Sequence, residues 1–308
     1  MIFFTSQIQG EDYLSDLILQ SILTHFRGDV TFSSIPEYIW SVYPSKLKLY
    51  GRGYSVYRNI DKRQKKKNHI ISRSEQTFIE EVSAYSKHKK TTIIISSIWR
   101  SQQMFDILAK LAKRRETITL ICIDGEDHNS LHEKAIESSY YFKRELLNKQ
   151  KLSDRIQPIS FLFPEVKSPF ITAGVSFIPR KTVFLAPCDP RNKASYTFET
   201  ESAYYNQYKS AYFAITTSKG GWDCMRHYEI LANHCLPVFP NITNKPALTM
   251  ANYPTELQIR ANNLFWQYSG SQTLDKKFFL LYESILSKML EWFYRKSLSN
   301  QYINLLKI

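Results

Sequence analysis

Short apolar runs alternate with amphipathic segments along the first half of the chain. The runs are continuous and rich in β-branched residues, which is typical of strands buried on both faces of a parallel sheet. The segments between them repeat apolar residues at helical spacing. The predicted strands are 2–5, 30–32, 91–97 and 117–123, and the predicted helices are 13–23, 75–85 and 102–114. This order of strand and helix predicts an α/β domain.

The alternation is interrupted at 156–170, a stretch with three prolines, and then begins again. The second series contains the predicted strands 182–186, 211–217 and 235–239 and the predicted helices 199–209 and 222–233. A long amphipathic segment over 274–299 follows. We therefore predict two α/β domains with a cleft between them, residues 1–165 and residues 166–308, the second ending in a long helix.

Composition narrows the class of protein. Hydrophobic residues make up 43% and charged residues 22%, as in ordinary globular domains. No stretch approaches the ~20 apolar residues of a membrane-spanning helix, and the apolar start at 1–5 is too short for a signal peptide. The four cysteines form no CxxC pair, which is typical of a reduced protein. We therefore expect a cytoplasmic protein.

The chain carries 41 basic and 28 acidic residues, a net charge of +13. The densest basic run, 61–69, contains no aromatic residue and no nucleic-acid-binding signature, which disfavours nucleic acid as a partner. A solvated basic loop is the simpler interpretation. Attraction to anionic headgroups also stays open, and it would place the protein peripherally at the inner face of a membrane.

The segment 218–239 combines a glycine turn, a helix and a short strand that contains a proline. Gly220 and Gly221 let the backbone approach a ligand closely and tolerate a positive φ. The helix that follows presents N–H groups and the positive end of its dipole, which suit a diphosphate. Lys219 and Trp222 flank the two glycines. The segment therefore predicts an anion site, although a plain loop fits the same residues.

Four residues of the predicted helix are spaced for chemistry. Arg226 and Glu229 are three residues apart, so they share one helix face. A carboxylate there can accept the two hydroxyls of a ribose, and a guanidinium can bind phosphate through two hydrogen bonds, but a surface ion pair fits equally. Asp223 and His227 are four residues apart. Either they form a hydrogen-bonded pair that orients His227 toward the ligand, or they cap the helix.

The residues from Arg226 to Phe239 read Arg-His-Tyr-Glu-Ile-Leu-Ala-Asn-His-Cys-Leu-Pro-Val-Phe. This block resembles the motif, beginning Arg-x-x-Glu, that marks the donor domain of GT-B glycosyltransferases, especially the exostosin-like and group 1 families. His234 stands where that motif usually has the glycine of a left-handed helix cap. Shorter pieces resemble a bacterial branch of the same group: Glu11-Asp-Tyr-Leu-Ser-Asp16, Leu49-Tyr-Gly-Arg-Gly53, Ile123-Asp-Gly-Glu-Asp127, Phe142-Lys-Arg-Glu145 and Gly221-Trp-Asp-Cys224.

The resemblance implies a GT-B-like fold, in which two Rossmann-like domains face a cleft, and a metal-independent hexosyl- or related transferase. The second domain would bind a nucleotide-sugar donor. The first would bind a glycan, lipid-linked or protein acceptor in the synthesis of a surface polysaccharide or lipopolysaccharide. By position in the motif, Glu229 would bind the ribose, and Lys219, Gly220, Gly221 and Arg226 would surround the diphosphate. No cofactor is implied beyond the nucleotide-sugar.

An inverting transfer also needs a base for the acceptor hydroxyl. The candidates are acids at predicted strand ends: Asp12 after the first strand, and Asp124, Glu126 and Asp127 after the strand 117–123. Three acids crowded at one strand end should raise a pKa, so we favour that cluster. Each acid also fits the start of a helix or a turn, and a retaining transfer would need no such base.

Two further pairs of residues stay open. Lys143 and Arg144 would meet a phosphate at the edge of the cleft, or they would end a surface strand. His128 and His132 are four residues apart and would need a helix to share a metal ion. Their segment has the polar character of a loop, so we predict no metal site.

Two other classes of function compete with a transferase. A protein on the same fold could bind a nucleotide or sugar without any chemistry. The basic run 61–69 favours instead an adaptor for a membrane surface or for nucleic acid. Release of nucleotide from UDP-, GDP- or CMP-sugars separates the first of these from an enzyme, and steeply salt-dependent binding identifies the second.

Overall fold

The computed structural model describes residues 1–5, 12–43, 56–61, 71–72, 74–147, 153–163, 178–297 and 301–306. These residues form an α/β protein with two parallel sheets, as the alternating pattern predicts. The piece 49–53, Glu11, the domain boundary at 165 and all of the basic run except Asp61 lie outside the described residues. Among the helices that can be described, none is long and apolar enough to cross a bilayer.

Within the described residues, the first sheet consists of β1 (Ile2–Thr5), β2 (Val30–Phe32), β3 (Ile71–Ser72), β4 (Thr91–Ile95), β5 (Ile118–Asp124), β6 (Tyr140–Lys143) and β7 (Ile156–Pro158). Their order is β3-β2-β1-β4-β5-β6-β7, and neighbours pair in parallel. The helices between them are α1 (Tyr13–His25), α2 (Glu75–Tyr85), α3 (Gln102–Lys113) and α4 (Glu133–Ser138).

The strand order creates a crevice in the first sheet. β1 lies between β2 and β4, so the chain builds one side of the sheet first and the other side afterwards. The loops at the carboxyl ends of β1 and β4 therefore diverge, which is where ligands bind in open α/β sheets. Phe3, Phe4, Ile93 and Ile94 are fully buried, because helices cover both faces of the sheet.

The second sheet is smaller. Its strands are β8 (Val183–Leu185), β9 (Ala211–Ile215) and β10 (Leu236–Val238), paired in parallel in the order β10-β9-β8. The helices α5 (Glu201–Ser210) and α6 (Met225–Ala232) connect them. The sequence pattern predicted all five elements to within three residues at each end.

α6 ends in a left-handed residue, although that residue is a histidine. His234 has φ +55°, its N–H bonds to Leu231 O at 2.9 Å, and Cys235 N–H bonds to Ile230 O at 3.2 Å. These two bonds form the Schellman cap that usually ends in glycine. His234 is fully buried, and its carbonyl accepts the hydroxyl of Tyr282 at 3.0 Å, so packing holds the strained backbone.

The last helices of the described chain pack back against its first half. After the second sheet come α7 (Thr255–Tyr268), α8 (Lys276–Ser297) and α9 (Gln301–Leu306), and α9 packs against α1. Tyr302 of α9 donates to Ser160 O at 2.9 Å and accepts the N–H of Leu162 at 3.0 Å. The largest apolar cluster contains residues of β1, β9 and α8, so the two halves share one core.

Candidate functional site

A cleft of about 280 Å³ lies where the carboxyl ends of the two sheets face each other. The first wall, from the first half, consists of Asp12, Tyr13, Arg100, Gly125, Glu126, Asp127, Arg144 and Phe161. The second wall consists of Tyr196, Tyr204, Lys219, Gly220, Asp223, Cys224, Met225, Arg226 and Glu229. Of the residues that the sequence singled out for a transferase, five do not line the cleft: Asp124, Lys143, Gly221, Trp222 and His227.

Asp12 lies on the first wall at the carboxyl end of β1, beside the crevice of the first sheet. Its Oδ1 caps α1 by accepting the N–H groups of Leu14 and Ser15, each at 3.1 Å. Its Oδ2 accepts the hydroxyl of Ser97. Ser97 has φ +55°, a left-handed conformation that costs ~1–2 kcal/mol for a residue with a Cβ. All three of these partners of Asp12 are uncharged.

Asp124, which we favoured as a base together with its neighbours, is buried behind the first wall. Its Oδ1 accepts Lys143 Nζ at 2.8 Å, and its Oδ2 accepts Trp99 Nε1 at 2.8 Å and the hydroxyl of Tyr141. Burial lowers the pKa of Lys143, and Asp124 opposes that shift. Because Lys143 is fully buried as well, it cannot serve as the predicted phosphate contact. The pair joins β5 to β6.

Glu126 and Asp127 line the cleft, and each is paired with a cation. Glu126 accepts Arg100 Nε at 2.7 Å, and Asp127 accepts Arg144 Nη2. Every acid of the predicted cluster, Asp124 included, therefore has its own cation, which offsets the repulsion that the sequence suggested. The side chain of Asp127 is 62% exposed, so it can reorient toward solvent or a ligand.

Arg144 joins the two halves of the chain. Its Nε donates to Gly125 O at 2.9 Å, and its Nη2 binds Asp127. Its Nη1 donates to Glu145 Oε1 at 2.7 Å and to the carbonyl of Asp223. These bonds occupy most of the guanidinium donors. Arg144 therefore lines the cleft and joins its two walls, and its predicted contact with a phosphate stays a prediction.

Glu145 belongs to the short piece 142–145, but the sequence does not predict it as a site residue. It is buried, and its carboxylate accepts the N–H of Trp222 at 3.0 Å and the N–H of Asp223 at 3.0 Å. These two partners lie 77 and 78 residues further along the chain. Glu145 does not line the cleft, but it holds the loop that leads into α6.

Gly220 and Gly221 let the backbone of the second half come close to side chains of the first half. Neither glycine has a positive φ. A Cβ on Gly221 would lie 2.4 Å from Glu145 Oε1, and a Cβ on Gly220 would lie 2.2 Å from Asp127 Oδ2. The observed approach is to carboxylates of the first half. The expected conformational role of these glycines is therefore wrong, and Gly221 lies behind the second wall.

Trp222 contributes its backbone to this loop, while its ring packs on Phe239 with centroids 6.0 Å apart. Its carbonyl accepts His227 Nε2 at 2.8 Å, and His227 Nδ1 accepts the hydroxyl of Thr216 at 2.8 Å. Burial lowers the pKa of His227 to about 3, so the ring is neutral, with its proton on Nε2. Both side chains stabilise the loop from behind and do not face the cleft.

Asp223 and His227 do not bond to each other, and Asp223 does not cap α6. Asp223 Oδ2 accepts the N–H of Phe161 at 2.8 Å, and Oδ1 accepts the hydroxyl of Tyr228 at 2.8 Å. Burial raises the pKa of Asp223 to about 6, although Arg144 opposes the shift. Asp223 therefore ties the second wall to the segment after β7, and the predicted pairing with His227 is wrong.

The first turn of α6 has no side-chain cap. Cys224 occupies the N-cap position without a capping hydrogen bond. Burial raises the pKa of Cys224 to about 11, so its side chain is a neutral thiol that donates to Gly221 O at 3.5 Å. The N–H groups of a helix end without such a cap can bind an anion, as the sequence predicts.

Arg226 has a buried nitrogen atom, Nη1, without a hydrogen-bond partner. Among the described residues, no ion pair within 4 Å involves Arg226 or Lys219. The predicted alternative of an ion pair between Arg226 and Glu229 is therefore not observed. Lys219 Nζ lies over the ring of Tyr196, 5.9 Å from its centroid. A buried donor without a protein partner commonly marks the place of a ligand, an ion or a water molecule.

Glu229 lies almost one turn further along α6 and is 2% exposed. The hydroxyl of Tyr204 donates to Glu229 Oε2 at 2.9 Å, and the hydroxyl of Tyr208 donates to that of Tyr204 at 3.1 Å. Burial raises the pKa of both tyrosines well above its ordinary value, so both stay phenols at neutral pH. The two tyrosines orient a carboxylate on the second wall.

His128 and His132 have structural contacts. His132 caps α4 by accepting the N–H of Ala135 at 3.3 Å, and its ring packs edge-on against Trp99 and Phe105. His128 packs against Trp99 with centroids 4.9 Å apart. In the part of the chain that the structure describes, no group of three or more His, Cys, Asp or Glu residues could hold a metal ion.

Aromatic side chains complete both walls, and the sequence did not identify them as part of a site. Tyr13 and Phe161 are edge-on to each other in the first wall, with centroids 6.5 Å apart. Tyr196 and Tyr204 belong to the second wall. Their spacing in the sequence is that of ordinary core residues, so only the fold shows that they meet at a cleft.

No protein-family model, curated protein or solved structure matches this chain. A function can therefore be proposed only from the arrangement of the cleft. One wall holds carboxylates that are bonded within the protein, and the other holds two cations, one of them with a buried unpartnered nitrogen, beside an uncapped helix end.

Proposed function

We propose that this protein is a glycosyltransferase, which moves a sugar from a nucleotide-sugar donor to a glycan, lipid-linked or protein acceptor in surface polysaccharide or lipopolysaccharide synthesis. Its fold would be GT-B-like, with two Rossmann-like units that face a cleft. The facing carboxyl ends of two parallel sheets support this arrangement. The crevice between β1 and β4 supports a ligand on the first half as well.

The observation that carries the proposal is the buried, unpartnered Nη1 of Arg226 beside the uncapped start of α6. Both groups are donors, and together with Lys219 they would surround a diphosphate. A guanidinium binds phosphate oxygens through two hydrogen bonds, and the helix dipole adds a favourable field. These groups would also stabilise the charge of the leaving diphosphate during transfer.

Glu229 would bind the ribose of the donor. It lies about 4.5 Å along the helix axis from Arg226, since the two residues are three positions apart in α6. That offset suits a nucleotide whose diphosphate is at the helix start and whose ribose is almost one turn further on. Tyr204 fixes one carboxylate oxygen, which orients the group before the ligand arrives.

The first wall would bind the acceptor and supply the base. Asp12 is the candidate we prefer, because its observed partners are uncharged, whereas Glu126 and Asp127 are paired with arginines. A base must be a carboxylate that can contact the acceptor hydroxyl, and an arginine bound to the carboxylate competes with that hydroxyl for its oxygens. Glu126 and Asp127 would then hold other hydroxyls of the acceptor.

The test is release of nucleotide from a panel of UDP-, GDP- and CMP-sugars, with and without mixed glycan acceptors. Arg226→Gln and Glu229→Gln should abolish release from the active donor. At 229, glutamine keeps the shape of the side chain and an acceptor for Tyr204, and at 226 it removes the charge and the guanidinium donors of arginine. Arg295→Gln is the matched control, since Arg295 is 77% exposed on α8 and should leave the rate unchanged.

The outcomes separate the competing functions. Nucleotide binding measured by calorimetry, without release from any donor, would favour a binding protein that lacks the chemistry. A chain that binds none of the nucleotides at millimolar concentration would contradict the proposal.

Location and membrane contact belong to the same proposal. A cytoplasmic enzyme that rests on anionic headgroups could reach a lipid-linked acceptor, and the net charge of +13 would favour that contact. Sedimentation with anionic vesicles at low salt, lost at high salt, is the expected result. Equal binding to oligonucleotides would favour the nucleic-acid adaptor instead.

A further inference from the structure

We propose that Glu145 is a positioning residue that sets the second wall of the cleft from the opposite half of the chain. This inference deepens the proposed function and rests on it for its binding test. Glu145 does not line the cleft. It acts on the anion site through the backbone of Trp222 and Asp223.

The contact involves three backbone groups of two consecutive residues. Glu145 accepts the N–H of Trp222 at Oε2 and the N–H of Asp223 at Oε1, each at 3.0 Å. Arg144 donates to the carbonyl of Asp223 and to Glu145 itself. Two neighbouring side chains of the first half therefore fix the orientation of two residues in the second half. Both are almost fully buried, and each balances the charge of the other.

Gly221 makes this contact possible. A Cβ there would lie 2.4 Å from Glu145 Oε1 and 3.0 Å from Arg144 Nη1. Glu145 cannot withdraw easily, because its side chain is 3% exposed and three donors hold its carboxylate. Only glycine lets the backbone come this close without displacing the carboxylate.

The fixed loop leads directly into the anion site. Asp223 is followed by the N-cap residue Cys224, and Arg226 lies in the first turn of α6. A rotation of the Trp222–Asp223 peptide would turn the first N–H groups of α6 and the guanidinium of Arg226 away from their present directions. A shift of about 1 Å in a binding group is enough to lose much of its contribution.

Another bond between the halves provides a control, because it reaches the backbone of the residue after Glu145 and does not involve Trp222 or Asp223. Thr249 Oγ1 donates to Leu146 O at 2.8 Å, and Thr249 is fully buried. Thr249→Val removes that bond with little change in shape. A general weakening of the contact between the halves would follow from either variant, whereas disorder of the anion site would follow only from a change at Glu145.

The experiment compares Glu145→Gln with Thr249→Val by calorimetric titration with UDP and GDP, below the unfolding temperature of each variant. We expect Glu145→Gln to weaken binding at least tenfold, because an amide cannot accept both N–H groups and pair with Arg144. Thr249→Val should lower the melting temperature and change the dissociation constant less than twofold. Equal dissociation constants for the two variants would overturn the proposal.

Gly221→Ala is a second route to the same displacement and keeps the carboxylate. It should weaken nucleotide binding as Glu145→Gln does, and the double variant Glu145→Ala/Gly221→Ala should bind no worse than Glu145→Ala alone. Additive losses of affinity would show that Gly221 and Glu145 act separately, which contradicts the proposal.

Hydrogen exchange separates this inference from the function. If the wild type binds no nucleotide, the proposed function fails, but Glu145→Gln should still speed exchange at the amides of Trp222 and Asp223 at least tenfold. Thr249→Val should leave those two amides unchanged relative to the rest of the chain. Unchanged exchange in Glu145→Gln would overturn the positioning role whether or not a nucleotide binds.

Discussion

The two walls of the cleft differ in how their charges are satisfied. On the first wall, Glu126 and Asp127 have arginine partners, and Asp12 accepts three uncharged donors. On the second wall, Lys219 and Arg226 lie beyond ion-pair distance of the described carboxylates, and Arg226 keeps a buried nitrogen without a partner.

This difference indicates what each wall can bind. A wall whose charges are already paired suits the hydroxyl groups of a neutral sugar, which replace water without disturbing the ion pairs. A wall with unpaired cations and an uncapped helix end suits an anion. The following variants test that contrast, beginning with the largest expected effect.

Arg226→Gln should weaken binding of the nucleotide at least 100-fold, about 2.7 kcal/mol, because it removes the buried charge that we propose contacts phosphate. Stability should be unchanged or higher, since the orphaned nitrogen is removed. Arg100→Gln on the first wall should change nucleotide affinity less than threefold. Calorimetric titration of both variants checks this, and equal losses would abolish the distinction between the walls.

Asp223→Asn should change how stability depends on pH. The folded-state pKa of Asp223 is about 6 against an ordinary 3.8, so the folded state holds the proton more tightly. The protonated carboxyl therefore stabilises the fold fully below pH 3.8, and this stabilisation is lost as pH rises through 6. The free energy of unfolding should fall by roughly 2 kcal/mol between pH 4 and pH 7. Urea unfolding at both values should show that loss in the wild type relative to Asp223→Asn. The same pH dependence of stability in the wild type and in Asp223→Asn would contradict a raised pKa for Asp223.

Comparison of the wild type with His227→Gln should show the opposite dependence of stability on pH. The folded-state pKa of His227 is about 3 against an ordinary 6.5, so the unfolded state takes up the proton first as pH falls. The stabilisation from neutral His227, present above pH 6.5, is therefore lost on acidification. The free energy of unfolding should be about 2 kcal/mol lower at pH 5 than at pH 7. Relative to His227→Gln, the wild type should therefore lose stability between pH 7 and pH 5, which chemical denaturation at the two values measures.

Trp99→Phe should have the smallest effect. It removes one of the donors to buried Asp124, behind the first wall, and should cost about 1 kcal/mol of unfolding free energy. Nucleotide affinity should stay within twofold of the wild type. A large loss of affinity would mean that the buried network behind the first wall contributes to the donor site.

Local patterns were enough to predict most of the fold. The apolar runs identified β1, β2, β4 and β5, and the helical spacing identified α1, α2 and α3. For β6 the sequence predicts a strand end only as one of two alternatives. For β7 it predicts part of a hinge, because Ile156–Pro158 contains proline and is short. Proline is compatible with the edge position that β7 occupies.

The site was predictable where its residues are close in sequence. Gly220, Arg226 and Glu229 lie in one segment, and all three line the second wall. The role of Asp124 was not predictable, because its burial depends on Lys143, 19 residues away, and on packing of two strands.

Glu145 was not predictable either, because its partners Trp222 and Asp223 lie 77 and 78 residues further along the chain. The short pieces 123–127, 142–145 and 221–224 each carry a weak signal alone. The fold shows that they contact one another: Arg144 binds Gly125 O, and Glu145 binds the N–H of Trp222. Three pieces that are far apart in the sequence therefore form one set of contacts in the fold.

The most direct test of the account is a crystal structure with a nucleoside diphosphate bound. The account predicts phosphate oxygens within about 3 Å of the Arg226 guanidinium and of the first N–H groups of α6, with the ribose hydroxyls at Glu229. A diphosphate bound at Arg100 and Arg144 on the first wall, with Arg226 Nη1 still unpartnered, would contradict it.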